Sequence, residues 1–530
     1  MGLVAVDVGT TSARAGVFSL TGDLLGRGER PVAVLRAGPD RGEHSADDIW
    51  AAVCAAVREA LAASGLAPDA ISGIGFDATC SLVLRDGEGQ ALALSQEDGL
   101  VFDTIAWFDH RAREETLLAN RVGHETLADA GGPLHPEMEL PKLIWLKRNR
   151  PELWARAGAI LDLADFLTFR ATGSLARSQS TLAGKWSLPA HRDEGWPEGL
   201  LADLGLGDLA ERAGLSGRPV PVGAAVGVLT GEAAEALGLC PGCPVAAGMV
   251  DAHAGALALL GPLADEPEAL ARHAGLITGT SSAVMVMGGE PVPVAGVWGP
   301  YFGTVLTGFW MSEGGQSASG ALLDHIVANH PEGRQSGRDI HQRIAARIVQ
   351  MQANAVGDIA PGLHLLPDVM GSRSPSPDPN ARGVVVGLAL DTGFDGLCRI
   401  YWRTAVALAL GVRQILETFN RAGYRIDTLH VSGGHARSQL LIQLYADATG
   451  CVIEQAGAPD AMLIGGAMAA GCAAGVHGSL ADAARAMQAH ITVHRPDPVA
   501  QRRLESDYAI FTRMQAHRAE IARMARQQEV

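Results

Sequence analysis

Leu3-Val-Ala-Val-Asp-Val-Gly-Thr-Thr-Ser-Ala-Arg-Ala-Gly-Val-Phe18 reads as a strand, a tight polar turn and a returning strand. Val4, Val6 and Val8 fall on one face of the first strand, with Ala5 and Asp7 on the other. A glycine that lets the backbone approach closely, followed by Thr10, Thr11 and Ser12, offers N–H and O–H donors to a phosphate oxygen. One such segment is also ordinary β-turn chemistry. It recurs, however, in Leu276-Ile-Thr-Gly-Thr-Ser-Ser-Ala-Val-Met-Val-Met287. Gly9–Ala13 and Gly279–Ala283 differ by a single Thr/Ser exchange. Two copies, each between apolar strands and each opening one half of the chain, point to a duplicated lobe.

Working outward, each half continues as an alternating α/β pattern. In the first, the spacing predicts a helix over Asp47–Ala63, a strand over Ile71–Phe76, a strand over Val245–Val250 and a helix over Ala252–Leu260. In the second, helix Ile400–Ala422 leads to strand Thr428–Val431, turn Ser432-Gly-Gly434 and helix Arg437–Thr449. Strand Cys451–Glu454 and the small-residue helix Ala461–Ala474 follow, and a charged helical stretch without a motif begins near Asp497. Two similar α/β lobes imply a cleft between them.

Composition narrows the function. The formal charge is −16, and no dense Lys/Arg run is present, so a nucleic-acid surface is not expected. An acidic phosphate-binding protein has to hold its ligand locally, with backbone N–H groups and a divalent cation. No uncharged apolar run reaches the ~20 residues of a membrane span, and the strand at Leu3–Val8 leaves no room for a signal peptide. A cytoplasmic protein without membrane partners is expected. Seven cysteines is an odd, sparse count that argues against a disulfide framework. Cys240-Pro-Gly-Cys243 has zinc-like spacing but no second Cys/His pair nearby, so a plain turn is the expected reading.

Several further segments carry a family resemblance: Trp107-Phe-Asp-His-Arg-Ala112, Gly248-Met-Val-Asp-Ala-His-Ala-Gly255, Glu313-Gly-Gly-Gln-Ser317, Gly371-Ser-Arg-Ser-Pro375 with Ala381-Arg-Gly383, and Ser432-Gly-Gly-His-Ala-Arg-Ser438. With the two hairpins, and in this order from about residue 3 to residue 475, they resemble the FGGY carbohydrate kinases of the actin–hexokinase–chaperone ATPase superfamily. The resemblance implies two duplicated, ribonuclease H-like ATPase lobes: residues 1–272 for the sugar and the catalytic base, 273–496 for the nucleotide, and 497–530 as a helical extension. ATP and Mg²⁺ are the implied cofactors, and a small sugar the implied partner. The oligomeric state stays open, a homodimer included.

Gly75-Phe-Asp-Ala-Thr-Cys-Ser-Leu-Val83, Gly184-Lys-Trp186 and Trp310-Met-Ser-Glu-Gly-Gly-Gln-Ser317 are similar to the pentulose-kinase, ribulokinase-type branch. The Arg-Glu pair of glycerol kinases is absent, and Asp77-Ala78-Thr79 stands where xylulose kinases carry Met-His-Gly. A D-ribulokinase-like activity follows as the expectation, with L-ribulose or another polyol as the alternative. A non-catalytic sugar sensor or a chaperone-type ATPase on the same fold are the rival classes.

Residue by residue, the resemblance implies Asp251 as catalytic base, at a strand end and helix start where a helix cap would equally explain an Asp. Asp7 is the expected Mg²⁺ residue. Thr11, Ser12 and Arg14, with Gly279, Thr280 and Ser281, are expected at the phosphates, and Gly433, Gly434 and Ser438 at the adenosine. Lys185 and Glu313 are the expected sugar contacts, with Asp77, Trp107, Asp109 and His110. His110 and Arg111 could equally brace the loop. Gly465-Gly466-Ala467 reads as a wall of the adenine slot or as a close helix contact, and Arg373 and Arg382 as loop-ordering residues without direct chemistry.

Overall fold

The computed structural model describes the chain except residues 39, 125–126, 128–130, 193–194, 197, 335–336, 338, 356, 458–459 and 528–530. The opening hairpin forms as expected: Gly2–Val8 pairs antiparallel with Ser12–Phe18 and parallel with Ile71–Ala78. Both faces of Gly2–Val8 are buried, which is why it is apolar except at Asp7 instead of alternating with polar residues. Val4, Val6 and Val8 pack against the helix Ala46–Ser64, while Leu3 and Ala5 belong to a different core. That helix starts at Ser45, whose hydroxyl accepts the Asp48 N–H, and stops at the left-handed Gly65.

The duplication extends to whole sheets. In the first, the order is Leu24–Pro31, Ser12–Phe18, Gly2–Val8, Ile71–Ala78, Pro244–Ala246, Ala225–Val228. In the second, it is Trp310–Gln316, Ser282–Gly288, His273–Thr278, Thr428–Gly433, Val452–Ala456, Ile491–His494, with Trp298–Phe302 added at the near edge. Strand for strand, the parallel and antiparallel pairings agree. A smaller five-stranded sheet, with Leu82–Asp86 and Thr104–Ile105 among its strands, flanks the first lobe and leads into the Trp107–Arg111 loop.

Two expectations are corrected. The strand over Val245–Val250 is broken into Pro244–Ala246 and Met249–Val250, with Ala247 and Gly248 outside the ladder; a Cβ on Gly248 would stand 2.8 Å from the Ala164 carbonyl. The small-residue helix, Ala461–Ala473, does not stay within the second lobe. It crosses onto the first sheet and packs between Gly2–Val8, Ile71–Ala78 and the helix Asp251–Leu260, joining the core that holds Leu3 and Ala5. A Cβ on Gly465 would lie 1.9 Å from the Ala254 carbonyl, so its glycine serves close helix packing and not an adenine wall.

The C-terminal helix Pro498–Gln527 buries Leu504, Phe511 and Met514 in the core of the second lobe. Arg403 anchors it through Asp507. Among the described residues, no helix is long and apolar enough to cross a membrane.

Candidate active site

The two hydroxyl turns face one another across a cavity of about 380 Å³. Gly9, Thr11, Ser12 and Arg14 line it from one lobe, and Gly279, Thr280 and Ser281 from the other. A Cβ on Gly279 would meet no protein atom nearer than 3.8 Å, so that position opens into the cavity. Asp251, Lys185, Trp107, Glu313, Gly433 and Gly434 complete much of the wall.

Asp251 is the first residue of the helix Asp251–Leu260, and Val250 occupies the capping position, so a cap does not account for the carboxylate. Its Oδ1 accepts the Ala252 N–H at 2.7 Å. Burial raises its pKa above the ordinary carboxylate value, with the Ala252 N–H, Lys185 and Arg14 pulling the other way. The Ser180 hydroxyl accepts the Val250 N–H at 3.2 Å, one of the donors a helix start leaves unpaired. Ser180 belongs to Gln179–Lys185, so one short helix both steadies the Asp251 backbone and carries Lys185.

An acidic cluster lies beside Asp251. Asp7 and Asp77 are directly paired on adjacent parallel strands. Arg14, opposite Asp7 on the returning strand, reaches Asp7 at 2.6 Å and Asp460 at 3.0 Å. Burial pushes the Asp7 carboxyl up to about 7 against the pull of Arg14, and burial and then the Asp7 charge push Asp77 well above its ordinary value. Neither oxygen of Asp77 has a geometrically good hydrogen-bond partner. Asp7, Asp77 and Asp460 gathered near one guanidinium, with buried oxygens left over, are a donor set that fits a hard divalent cation. Asp77 does not line the cavity, so its expected place at the sugar is corrected: strand pairing puts it against Asp7. Asp460, which precedes Ala461–Ala473 without capping it, is a member that the sequence reading missed.

At the far end, Lys185 Nζ stands 3.3 Å from Glu313 Oε2 and 4.8 Å over the Trp298 ring. Burial works against the ammonium, but Glu313, with smaller help from Cys80 and Tyr301, holds Lys185 above its ordinary value. Lys185 is thus a buried residue and not a surface one, and Glu313 lies mid-strand in Trp310–Gln316, not at a helix start. Arg373 meets Glu137 at 2.7 Å and Glu313 at 3.5 Å, and also stands over Trp298. It lines the cavity, which corrects its loop-ordering role. Arg382 does brace the loop, donating to the Ala381 carbonyl at 2.8 Å. Glu137 and Trp298, cavity-lining as well, are further residues that the sequence reading missed.

Trp107 lines the cavity and donates its indole N–H to Thr10 at 2.9 Å. Asp109 and His110 do not line it, a second correction. Asp109 is fully buried, accepting the Gly42 N–H at 2.8 Å and the Arg111 guanidinium at 2.7 Å. His110 touches Glu137 at 3.4 Å, so both brace the loop.

Gly433 has φ 93°, and a Cβ there would strike the Thr278 carbonyl at 2.0 Å, so glycine is required. Gly434, Gly279 and Thr280 also line a second cavity of about 730 Å³, walled by Ser438, His435, Tyr401 and Leu440. Ser438 therefore belongs to this second chamber alone. Cys240 and Cys243 are free thiols in a turn.

A duplicated α/β scaffold, with hydroxyl turns from both lobes facing a helix-start carboxylate, defines a two-lobed phosphotransferase. Comparison with known proteins specifies the family. The N-terminal domain of the FGGY family of carbohydrate kinases matches residues 3–258, and the C-terminal domain residues 274–474. An FGGY carbohydrate kinase domain-containing protein of Danio rerio is 39% identical, covering 98% of both chains. A D-ribulokinase of Saccharomyces cerevisiae is 33% identical, over 89% of this chain and 71% of its own. A xylulose kinase structure from Rhodospirillum rubrum superposes with a TM-score of 0.76 at 20% identity, covering 98% and 99% of the two chains. The chain belongs to the FGGY family of carbohydrate kinases and is a sugar kinase.

Proposed function

We propose that the chain transfers the γ-phosphoryl group of ATP to the terminal hydroxyl of a ketopentose, D-ribulose foremost, giving the 5-phosphate. The observation that carries this reading is the single cavity bounded by both hydroxyl turns, Asp251 and the Lys185–Glu313 pair. In this reading adenosine occupies the larger chamber beside Gly434 and Ser438, and the phosphates lie between Gly9–Ser12 and Gly279–Ser281. Asp7, with Asp77 behind it, would hold Mg²⁺, which supplies charge neutralisation at the phosphates when bound.

Asp251 orients the attacking hydroxyl and accepts its proton late, because phosphoryl transfer passes through a loose transition state. A raised carboxyl pKa suits that task, since a base works best with a pKa near the working pH. Lys185 and Arg373 provide donors and Glu313 an acceptor for sugar hydroxyls, over the Trp298 face. Polar groups matched to particular hydroxyls reject a sugar that misplaces one, because they would stay unpaired. The yeast relative's name supports ribulose in this site.

The test is a coupled ADP-release assay over D-ribulose, L-ribulose, D- and L-xylulose, glycerol and aldohexoses, ranked by kcat/KM. D-ribulose is expected first and L-ribulose second. Xylulose or glycerol in first place overturns the assignment to the ribulokinase-type branch, and L-ribulose in first place overturns only the stereochemical choice.

A further inference from the structure

Away from the cavity, three potential metal ligands converge on the second sheet. His430 and Glu454 are directly paired on the adjacent strands Thr428–Gly433 and Val452–Ala456. His273, which pairs with Thr428, sits one pleat along on the neighbouring strand and so shares their face. The intervening Ala274, Leu429 and Ile453 point the other way, into the core of the second lobe. Nδ1 of His273 stands 2.7 Å from Nε2 of His430, and Nδ1 of His430 stands 3.6 Å from a Glu454 oxygen.

We propose that His273, His430 and Glu454 form a binding site for a divalent transition metal, zinc above all. One potential ligand atom from each residue lies within 4.8 Å of the other two. Two imidazoles and a carboxylate are a donor set that zinc takes at about 2.0–2.2 Å with a fourth, open position. Tetrahedral coordination at that bond length spaces neighbouring ligand atoms about 3.3 Å apart, so the two imidazoles need only part slightly. The Glu454 carboxylate, now beside the other ring nitrogen of His430, has to swing in from within 4.8 Å. Binding replaces the hydrogen bond between the rings with two metal bonds. Burial lowers the pKa of both histidines, favouring the neutral form that ligates.

The location gives the ion a structural task. It would cross-link three adjacent strands at the end of the sheet away from the phosphate turn, where His273 begins the strand that runs to Thr278. His430 also borders a small cavity against Leu259 and Ile464, on the two helices that join the lobes. This site is independent of the sugar assignment and of the carboxylates around Asp7.

The test uses the full chain, stripped with a chelator and held in excess Mg²⁺ so that the Asp7 cluster is occupied. Titration with Co²⁺ is followed by visible absorption and then by displacement with Zn²⁺. A saturable band at a single equivalent is expected. Its affinity should fall about tenfold or more in His273→Gln and in Glu454→Gln, each with unchanged sugar phosphorylation. Zn²⁺ should raise the Tm of the parent chain and not that of either variant. Absence of a saturable band, or equal affinity in the variants, overturns the assignment.

Discussion

The two hydroxyl turns are near-copies in sequence but not in what surrounds them. In the first, Val8 pairs with Ala13, leaving a four-residue loop, whereas in the second Thr278 pairs with Ser282, leaving three. One residue before each loop-closing pair the contrast is sharper. Asp7 faces Arg14 and lies beside Asp77, whereas Ile277 faces Ala283 and lies beside Ser432. The shared part is backbone and hydroxyl, which any phosphate needs. Charge is confined to the first copy, together with Asp251. Under the proposed function, the duplication supplies a symmetrical clamp, and its divergence concentrates metal binding and proton transfer in one lobe.

The largest effect that would break this division is expected at Asp251. Asp251→Asn should lower kcat by a factor of at least about 10² while ATP binding and folding persist. Near-normal turnover in a phosphorylation assay would remove the base from the first lobe. Asp7→Asn should instead weaken Mg²⁺ dependence, by about 10–100-fold in apparent metal affinity. An unchanged Mg²⁺ titration would mean that the charged copy is not the metal copy.

The uncharged turn should respond differently. Gly279→Val places a branched side chain in the open cavity and should raise the KM for ATP on the order of tenfold, about 1.4 kcal/mol, with little change in the KM for sugar. Equal nucleotide affinity by calorimetry in the folded variant would show that the second turn does not hold phosphate.

Two smaller effects sharpen the comparison. Because burial raises the Asp251 pKa, the protonated and inactive form persists to higher pH, so activity should fail on acidification above the ordinary carboxylate pKa of about 4. An acid limb at or below that value, in kcat/KM against pH, would contradict a buried base. In the proposed reading phosphate donors come from both lobes, so sugar plus a non-hydrolysable nucleotide should also reduce the radius of gyration in small-angle scattering. An unchanged radius would leave the two turns as a static pair.

Much of the architecture was legible because it repeats. A glycine and three hydroxyl residues between apolar strands signal the same hairpin twice, and the pattern around Thr428–Thr449 follows ordinary helix and strand periodicity. What escaped depends on long-range pairing. Asp77 and Asp109 are acidic residues near the cleft in sequence, but register places one against Asp7 and a turn ties the other to Gly42 and Arg111. Arg373 meets Glu137 across 236 residues, and Arg14 meets Asp460 across 446, separations that no local pattern records. An Asp directly before a small-residue helix reads as a cap, which is why Asp460 hides in plain sight.

The helix Ala461–Ala473 also bears on how the chain can be handled. Its glycines rest on a carbonyl of Asp251–Leu260 and on the strand bearing Asp77, although it is made last of the three. A ribosome therefore releases the first sheet with one flank bare until almost the whole polypeptide has emerged. Severing the chain at the seam of the repeat would leave the leading fragment with an apolar scar and the trailing fragment with an orphaned helix. Reunited, the same two pieces are the natural starting point for a split reporter whose signal depends on that helix finding its groove.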